Sequence, residues 1–277
     1  MNHRPRKRFG QNFLHDERVV HAIVACISPR PDEHLVEIGP GQGALTRLLL
    51  PECGRLDAVE LDRDLVGYLK KRFGTEEKLT IHSGDAMKFD FSALSRGGPL
   101  RVIGNLPYNI STPLLFHLFE QSACIKDMHF MLQKEVVDRL CAEPGGRDYG
   151  RLGVMARYYC SMEPLMEVGP ESFTPSPKVV SAVVRLVPHG QKPVRVGPEV
   201  LGRVVAAAFS QRRKTLRNAL GLLLVADEIE SADVDPGARA ETLGLEDFAR
   251  LAEALLRKVR YSPSSRPKSH RIKIEAG

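Results

Sequence analysis

From residue 34 onward the chain alternates. Short runs rich in apolar and β-branched residues, HLVEI (34–38), LDAVEL (about 56–61), LTIH (79–82), LRVIG (100–104) and DMHFML (127–132), are separated by stretches long enough to be helices. That alternation predicts an α/β fold: a mostly parallel sheet with helices on both faces. SAVVRLV (181–187) adds a late strand, and Val19, Val20, Ile23, Val24 and Ile27 lie at helical spacing within 16–28, which predicts an amphipathic helix there. PHGQKPVRVGP (188–198) then interrupts the pattern, and 199–224 and 238–258 read as helices with no strand between them. The expected organisation is a sheet domain over 1–189, a small helical domain over 190–258 and a flexible basic tail over 259–277.

Charge narrows the class of partner. The chain has 277 residues, with 40 Lys or Arg against 34 Asp or Glu, for a net +6. The excess sits in three places: residues 1–8, 195–217 and 257–277 carry four, six and seven basic residues, while the remainder is acidic overall. Three basic segments on an acidic body favour a polyanion, nucleic acid first and an acidic membrane surface second. Ala22–Ile27 and Leu220–Ala226, the longest apolar stretches, fall far short of the run of about 20 residues that spans a bilayer. The basic N-terminus has no apolar segment behind it, so a cytoplasmic protein is expected. The five cysteines show no CxxC spacing, which argues against both a disulfide framework and a metal site.

The run ending at Ile38 leads straight into Gly39-Pro40-Gly41-Gln42-Gly43-Ala44, a strand-to-helix turn where backbone can approach a ligand closely. The same glycines fit a dinucleotide fingerprint, with Glu60 near the ribose-binding position. Electrostatics separates the two readings. A pyrophosphate wants neutral or basic surroundings, whereas a ligand carrying an ammonium and a sulfonium wants carboxylates. Glu37 precedes the turn, Glu60, Leu61 and Asp62 end the next run, Asp85 and Ala86 follow the third, and no Lys or Arg occurs from 35 to 46. S-adenosyl-L-methionine is therefore the expected cofactor.

The fourth run ends in Gly104-Asn105-Leu106-Pro107-Tyr108. An exocyclic amine on a nucleobase is a poor nucleophile because its lone pair is delocalised into the ring. Two acceptors on its N–H groups, the Asn105 side-chain oxygen and the Leu106 carbonyl, favour a pyramidal nitrogen. Pro107 brings no competing N–H, and Tyr108 offers a face for stacking.

Taken with QNFL (11–14), EIGPGQGALT (37–46), VELD (59–62), GDAMKFD (84–90), ESFTPSPKVVSAVVRL (171–186) and FSQRRKTLRNAL (209–220), this tetrapeptide resembles the KsgA family. The resemblance implies a class I methyltransferase (Rossmann-like) domain followed by a small helical domain. It also implies S-adenosylmethionine-dependent dimethylation of two adjacent adenosines near the 3′ end of 16S rRNA, by a monomer working in ribosome biogenesis. On that reading Asn12 and Leu14 close over the cofactor, and Gly39, with Glu37 and Gly41 beside it, lies against its methionine part. Glu60 holds the ribose hydroxyls and Asp85 the adenine amine, Leu61 and Ala86 also meet the cofactor, and Asn105 stands at the transfer site and touches the cofactor. Phe173 would sandwich the target base against Tyr108, whose ring rather than hydroxyl is used. Arg212, Arg213, Lys214 and Arg217 would present a broad basic helical face to RNA. The Erm family shares the motif order but usually has Ile where this chain has Leu106. The basic residues after 257 have no counterpart in the KsgA family.

Overall fold

The computed structural model describes residues 11–95, 97–211 and 213–261. The basic N-terminus, Arg212 and the tail beyond 261 therefore lie outside the described residues. These residues form two compact units, one of 11–143 and 156–192, the other of 144–155 and 193–261. Residues 144–155, expected in the first domain, thus belong with the second.

In chain order the elements up to residue 188 are β1 (Phe13–Leu14), α1 (Glu17–Ile27), β2 (His34–Ile38), α2 (Thr46–Glu52), β3 (Arg55–Glu60), α3 (Arg63–Phe73), β4 (Leu79–Ser83), β5 (Leu100–Asn105), α4 (Ser111–Glu120), β6 (Ile125–Gln133), α5 (Lys134–Cys141), α6 (Arg151–Tyr159), β7 (Cys160–Val168), β8 (Phe173–Thr174) and β9 (Ser181–Pro188). Seven strands form one sheet in the order β4-β3-β2-β5-β6-β9-β7. The pairs from β4 to β6 are parallel, and β9 runs antiparallel between β6 and β7. The expected class I architecture, with an antiparallel last strand, is what the chain adopts.

Every strand expected from the alternation is present, and the spacing of apolar residues explains why. Leu35, Leu56, Ile103, Met131 and Val183 bury one face of the sheet against Val20, Ile23 and Ile27 of α1 and Leu49 of α2, at about 1.5–3 kcal/mol per large side chain removed from water. Carboxylates set the starts of two of the helices. Asp16 accepts from the Arg18 N–H at 2.9 Å to cap α1, and Asp62 accepts from the Asp64 N–H at 3.0 Å to cap α3. The alternation does not signal β7. That strand pairs with β9 alone, so half of it faces water and it tolerates Glu163, Pro164 and Glu167.

The second unit contains α7 (Pro198–Ala208), α8 (Leu216–Ala219), α9 (Ala226–Glu230) and α10 (Leu245–Tyr261). Leu201, Val204 and Val205 of α7 are buried, as are Phe248, Leu251 and Ala252 of α10, and the Tyr149 hydroxyl donates to the Leu243 carbonyl at 2.7 Å. The helix expected over 199–224 is broken. Arg213 and Lys214 lie in a turn, Thr215 forms a bridge with Arg239, and the N–H groups of Leu216 and Arg217 donate to the carbonyls of Ala238 and Pro236. Partners distant in sequence override the local helical pattern, so Arg213 and Lys214 lie in an exposed turn running into α8, which carries Arg217, rather than on one helical face. Among the described residues, no helix is long and apolar enough to cross a membrane.

Candidate active site

Strands β2, β3, β4 and β5 all run parallel, so their C-terminal ends share one edge of the sheet, and a cleft of about 300 Å³ opens there. Its floor is the turn after β2. Gly39, Gly41 and Gly43 take φ values of 65°, 57° and 80°, which side chains disfavour. At Gly41 space is short as well, because a Cβ would lie 3.2 Å from the Phe13 ring.

The acids meet here, each in a different setting. Glu37 is buried within the floor, where its carboxylate accepts from the Thr46 hydroxyl at 2.6 Å; burial, with Glu60 adding to it, pushes its pKa up to about 7. Glu60 is 6% exposed and uses both oxygens, accepting from the Gly41 N–H at 3.2 Å and the Asp62 N–H at 2.9 Å. Burial raises its pKa against the pull of those N–H groups. Asp85 accepts from the Met87 N–H at 3.0 Å and so caps a short turn beginning at Ala86. Leu61, 48% exposed, lies beside Glu60 on the cleft wall.

The N-terminal segment forms another wall. Asn12 and Leu14 both line the cleft, and the segment is held at several points: the Gln11 amide donates to Asp62 at 3.2 Å, the Asn105 amide donates to the Asn12 carbonyl at 3.1 Å, and Leu14 pairs with Phe173 in the two-residue β1–β8 ladder. Because that carbonyl can only accept, the Asn105 amide is oriented with Nδ2 towards it, leaving Oδ1 as the acceptor. The Leu106 N–H continues the ladder to the Met131 carbonyl at 3.2 Å. Gly104 lets β5 close on β2, since a Cβ there would stand 2.6 Å from the Ile38 carbonyl oxygen.

Of the residues expected at the cofactor and transfer sites, Asn12, Leu14, Glu37, Gly39, Gly41, Glu60, Leu61, Asp85, Ala86, Asn105, Leu106, Pro107 and Tyr108 all line this one cleft. Phe173 does not. It is 2% exposed and packs in the core with Leu14 and Val20. The Tyr108 hydroxyl, expected to be idle, lies 2.7 Å from the Ser181 hydroxyl, and burial raises its pKa. Sequence reasoning missed Ser181 as it missed Thr46 and Gln11, although all three fall inside the family-like strings. Arg213, Lys214 and Arg217 are exposed in the second unit.

Comparison with known proteins decides the family. The family model described as ribosomal RNA adenine dimethylase matches residues 2–256. The chain belongs to the ribosomal RNA adenine dimethylase family. A ribosomal RNA small subunit methyltransferase A from Methylococcus capsulatus is 60% identical over 92% of this chain and 99% of its own length. A protein of the same name from Pseudomonas aeruginosa is 58% identical, over 91% and 95%. Among solved structures, a dimethyladenosine transferase from Plasmodium falciparum superposes with a TM-score of 0.77 at 26% identity, covering 90% of this chain and 98% of that one. The 23S rRNA methyltransferase ErmE gives 0.69 at 25% identity, covering 88% and 99%. In this adenine dimethylase the cleft is lined by carboxylates and carries no Lys or Arg among the described residues, a donor set that fits S-adenosyl-L-methionine.

Proposed function

We propose that this adenine dimethylase transfers methyl groups to the N6 amines of two adjacent adenosines in the 3′-terminal hairpin of 16S rRNA on the small ribosomal subunit. It would act as a cytoplasmic monomer with a role in subunit biogenesis. The observation that carries the reading is the Asn105 amide, held by the Asn12 carbonyl in the wall of the cleft that Glu37, Glu60 and Asp85 also line. The name shared by relatives 54–60% identical supports the small subunit as substrate.

Glu60 and Asp85 would hold the ribose and adenine ends of S-adenosyl-L-methionine, and the Gly39 turn its methionine end. The bound cofactor supplies an electrophilic methyl group. Asn105 Oδ1 and the Leu106 carbonyl accept hydrogen bonds from the target amine and favour the pyramidal nitrogen that attack requires. Among the described residues the cleft lining holds no His, and none is needed. The proton leaves after the nitrogen has been alkylated, when it is strongly acidic. The base must leave its stack to reach this depth, and Tyr108 gives it a surface. Phe173 would complete the sandwich once uncovered from the core. Arg212, Arg213, Lys214 and Arg217 would contact rRNA phosphates, which position the protein without reading sequence. The test is tritium transfer from labelled cofactor to 30S subunits, 50S subunits and free rRNA isolated from cells that lack the enzyme, so that the target amines are unmethylated. Label confined to 30S particles is expected; label in 50S particles would overturn the reading in favour of an Erm-like enzyme.

A further inference from the structure

Ser181 opens β9 and is 0% exposed. Its backbone is fixed from both sides, paired with Gln133 of β6 and Val168 of β7, and the Lys134 N–H donates to the neighbouring Val180 carbonyl at 2.9 Å. Its Cβ is therefore fixed relative to the sheet, and its buried hydroxyl can swing only about one bond. Tyr108, by contrast, stands in the connection between β5 and α4. Its backbone there is restrained by local bonds, from the Ser111 hydroxyl to its own carbonyl at 3.2 Å and from the Ile110 N–H to the Pro107 carbonyl at 3.2 Å. Neither bond sets the ring. The 2.7 Å contact between the two hydroxyls does, joining residues 73 apart.

We propose that Ser181 is a positioning residue for methyl transfer: it pins the Tyr108 hydroxyl to the sheet and so presents the ring face at the mouth of the cleft for the target adenine. A stacking surface already held in its working rotamer spares the bound base the entropy of ordering it. The inference rests on the proposed methyl transfer to adenine. Capture of the flipped base follows docking, and docking is governed by phosphate contacts. Loss of the pin therefore lowers kcat and leaves the KM for the particle unchanged.

The experiment measures kcat, KM for 30S subunits, cofactor Kd and Tm for wild type, Ser181→Ala, Tyr108→Phe and the double variant. Tyr108→Phe removes one oxygen from a half-buried ring and tests the same bond from its other end if Ser181→Ala folds poorly. A fall in kcat of about tenfold is expected in each single variant. The double variant should be no worse than either, with KM, Kd and Tm near wild type. Wild-type kcat in both single variants, additive losses in the double variant, or losses that track a lowered Tm or weakened cofactor binding would each overturn the proposal. Wild-type protein inactive on 30S particles would overturn the underlying function instead.

Discussion

Asn105 and Asn12 are 93 residues apart, and the single bond between them decides which end of the Asn105 amide faces the cleft. Asn105→Ala should therefore cut methyl transfer by about a hundredfold or more, as loss of one positioned polar group in a reacting site commonly does. Cofactor affinity should fall far less, because the amide acts on the target amine and the wall it helps to hold keeps its Gln11–Asp62 and Leu14–Phe173 anchors; a methylation assay paired with calorimetric titration checks both halves. Glu60→Ala should behave in the opposite way. It strips the ligand hydroxyls of their acceptor, so cofactor affinity should fall by about 1–3 kcal/mol for each one left unpaired, in the same titration, while the Gly41 and Asp62 N–H groups that lose the same carboxylate lower the melting temperature instead. At this scale residue types were legible and partners were not. Asn, Pro and Tyr after a strand announce an amine-binding turn, but nothing in NLPY points to a serine in β9. Phe173 shows the converse: the string FTPSPK marks it as a stacking residue, while the ring itself is 2% exposed and packs in the core.

Among the elements, those read most plainly are the ones dictated by burial: α1 with its apolar stripe, and the parallel strands β2, β3, β5 and β6, whose residues are mostly buried. β7 escaped because an edge strand needs an apolar pattern on one face only, and Pro164 beside a register shift disguises even that. The turn at 213–214 escaped because its determinant is the 236–239 segment rather than its own composition. Reversing the charges of Arg213, Lys214 and Arg217 together should weaken binding to 30S particles and flatten its salt dependence by roughly one power of salt for each phosphate no longer neutralised. The cofactor Kd should not move, and isotherms across a salt series measure both. For the glycine turn, Gly41→Ala should weaken cofactor binding, since the new methyl is strained at a φ of 57° and pushes on the Phe13 ring. The left-handed conformation alone costs about 1–2 kcal/mol.

For the molecule as a whole, two buried titratable groups set opposite limits on stability. Burial holds His129 down from 6.5 to about 4, and neither of its ring nitrogens has a hydrogen-bond partner among the described residues. Its neutral form is the folded one, so the stability it contributes is complete above pH 6.5 and is lost as pH falls towards 4. Glu37, raised from 4.5 to about 7, contributes fully below pH 4.5 and loses its contribution as pH rises through 7. Each effect is on the order of 3 kcal/mol. Thermal melts from pH 4 to 8 should show His129→Leu with a shallower acid limb than wild type, and Glu37→Gln with a shallower alkaline one. The order in which a ribosome delivers this chain adds another constraint, because the strand made last is not at the rim of the sheet but second from it. A nascent chain that has emerged only as far as Val180 holds β6 with one side unpaired and β7 with no neighbour at all. It also lacks the hydroxyl that holds Tyr108. Exposed strand edges of that kind invite pairing with other chains. The first unit therefore closes late in synthesis, and a fragment cut short of β9 will aggregate rather than survive as a smaller enzyme.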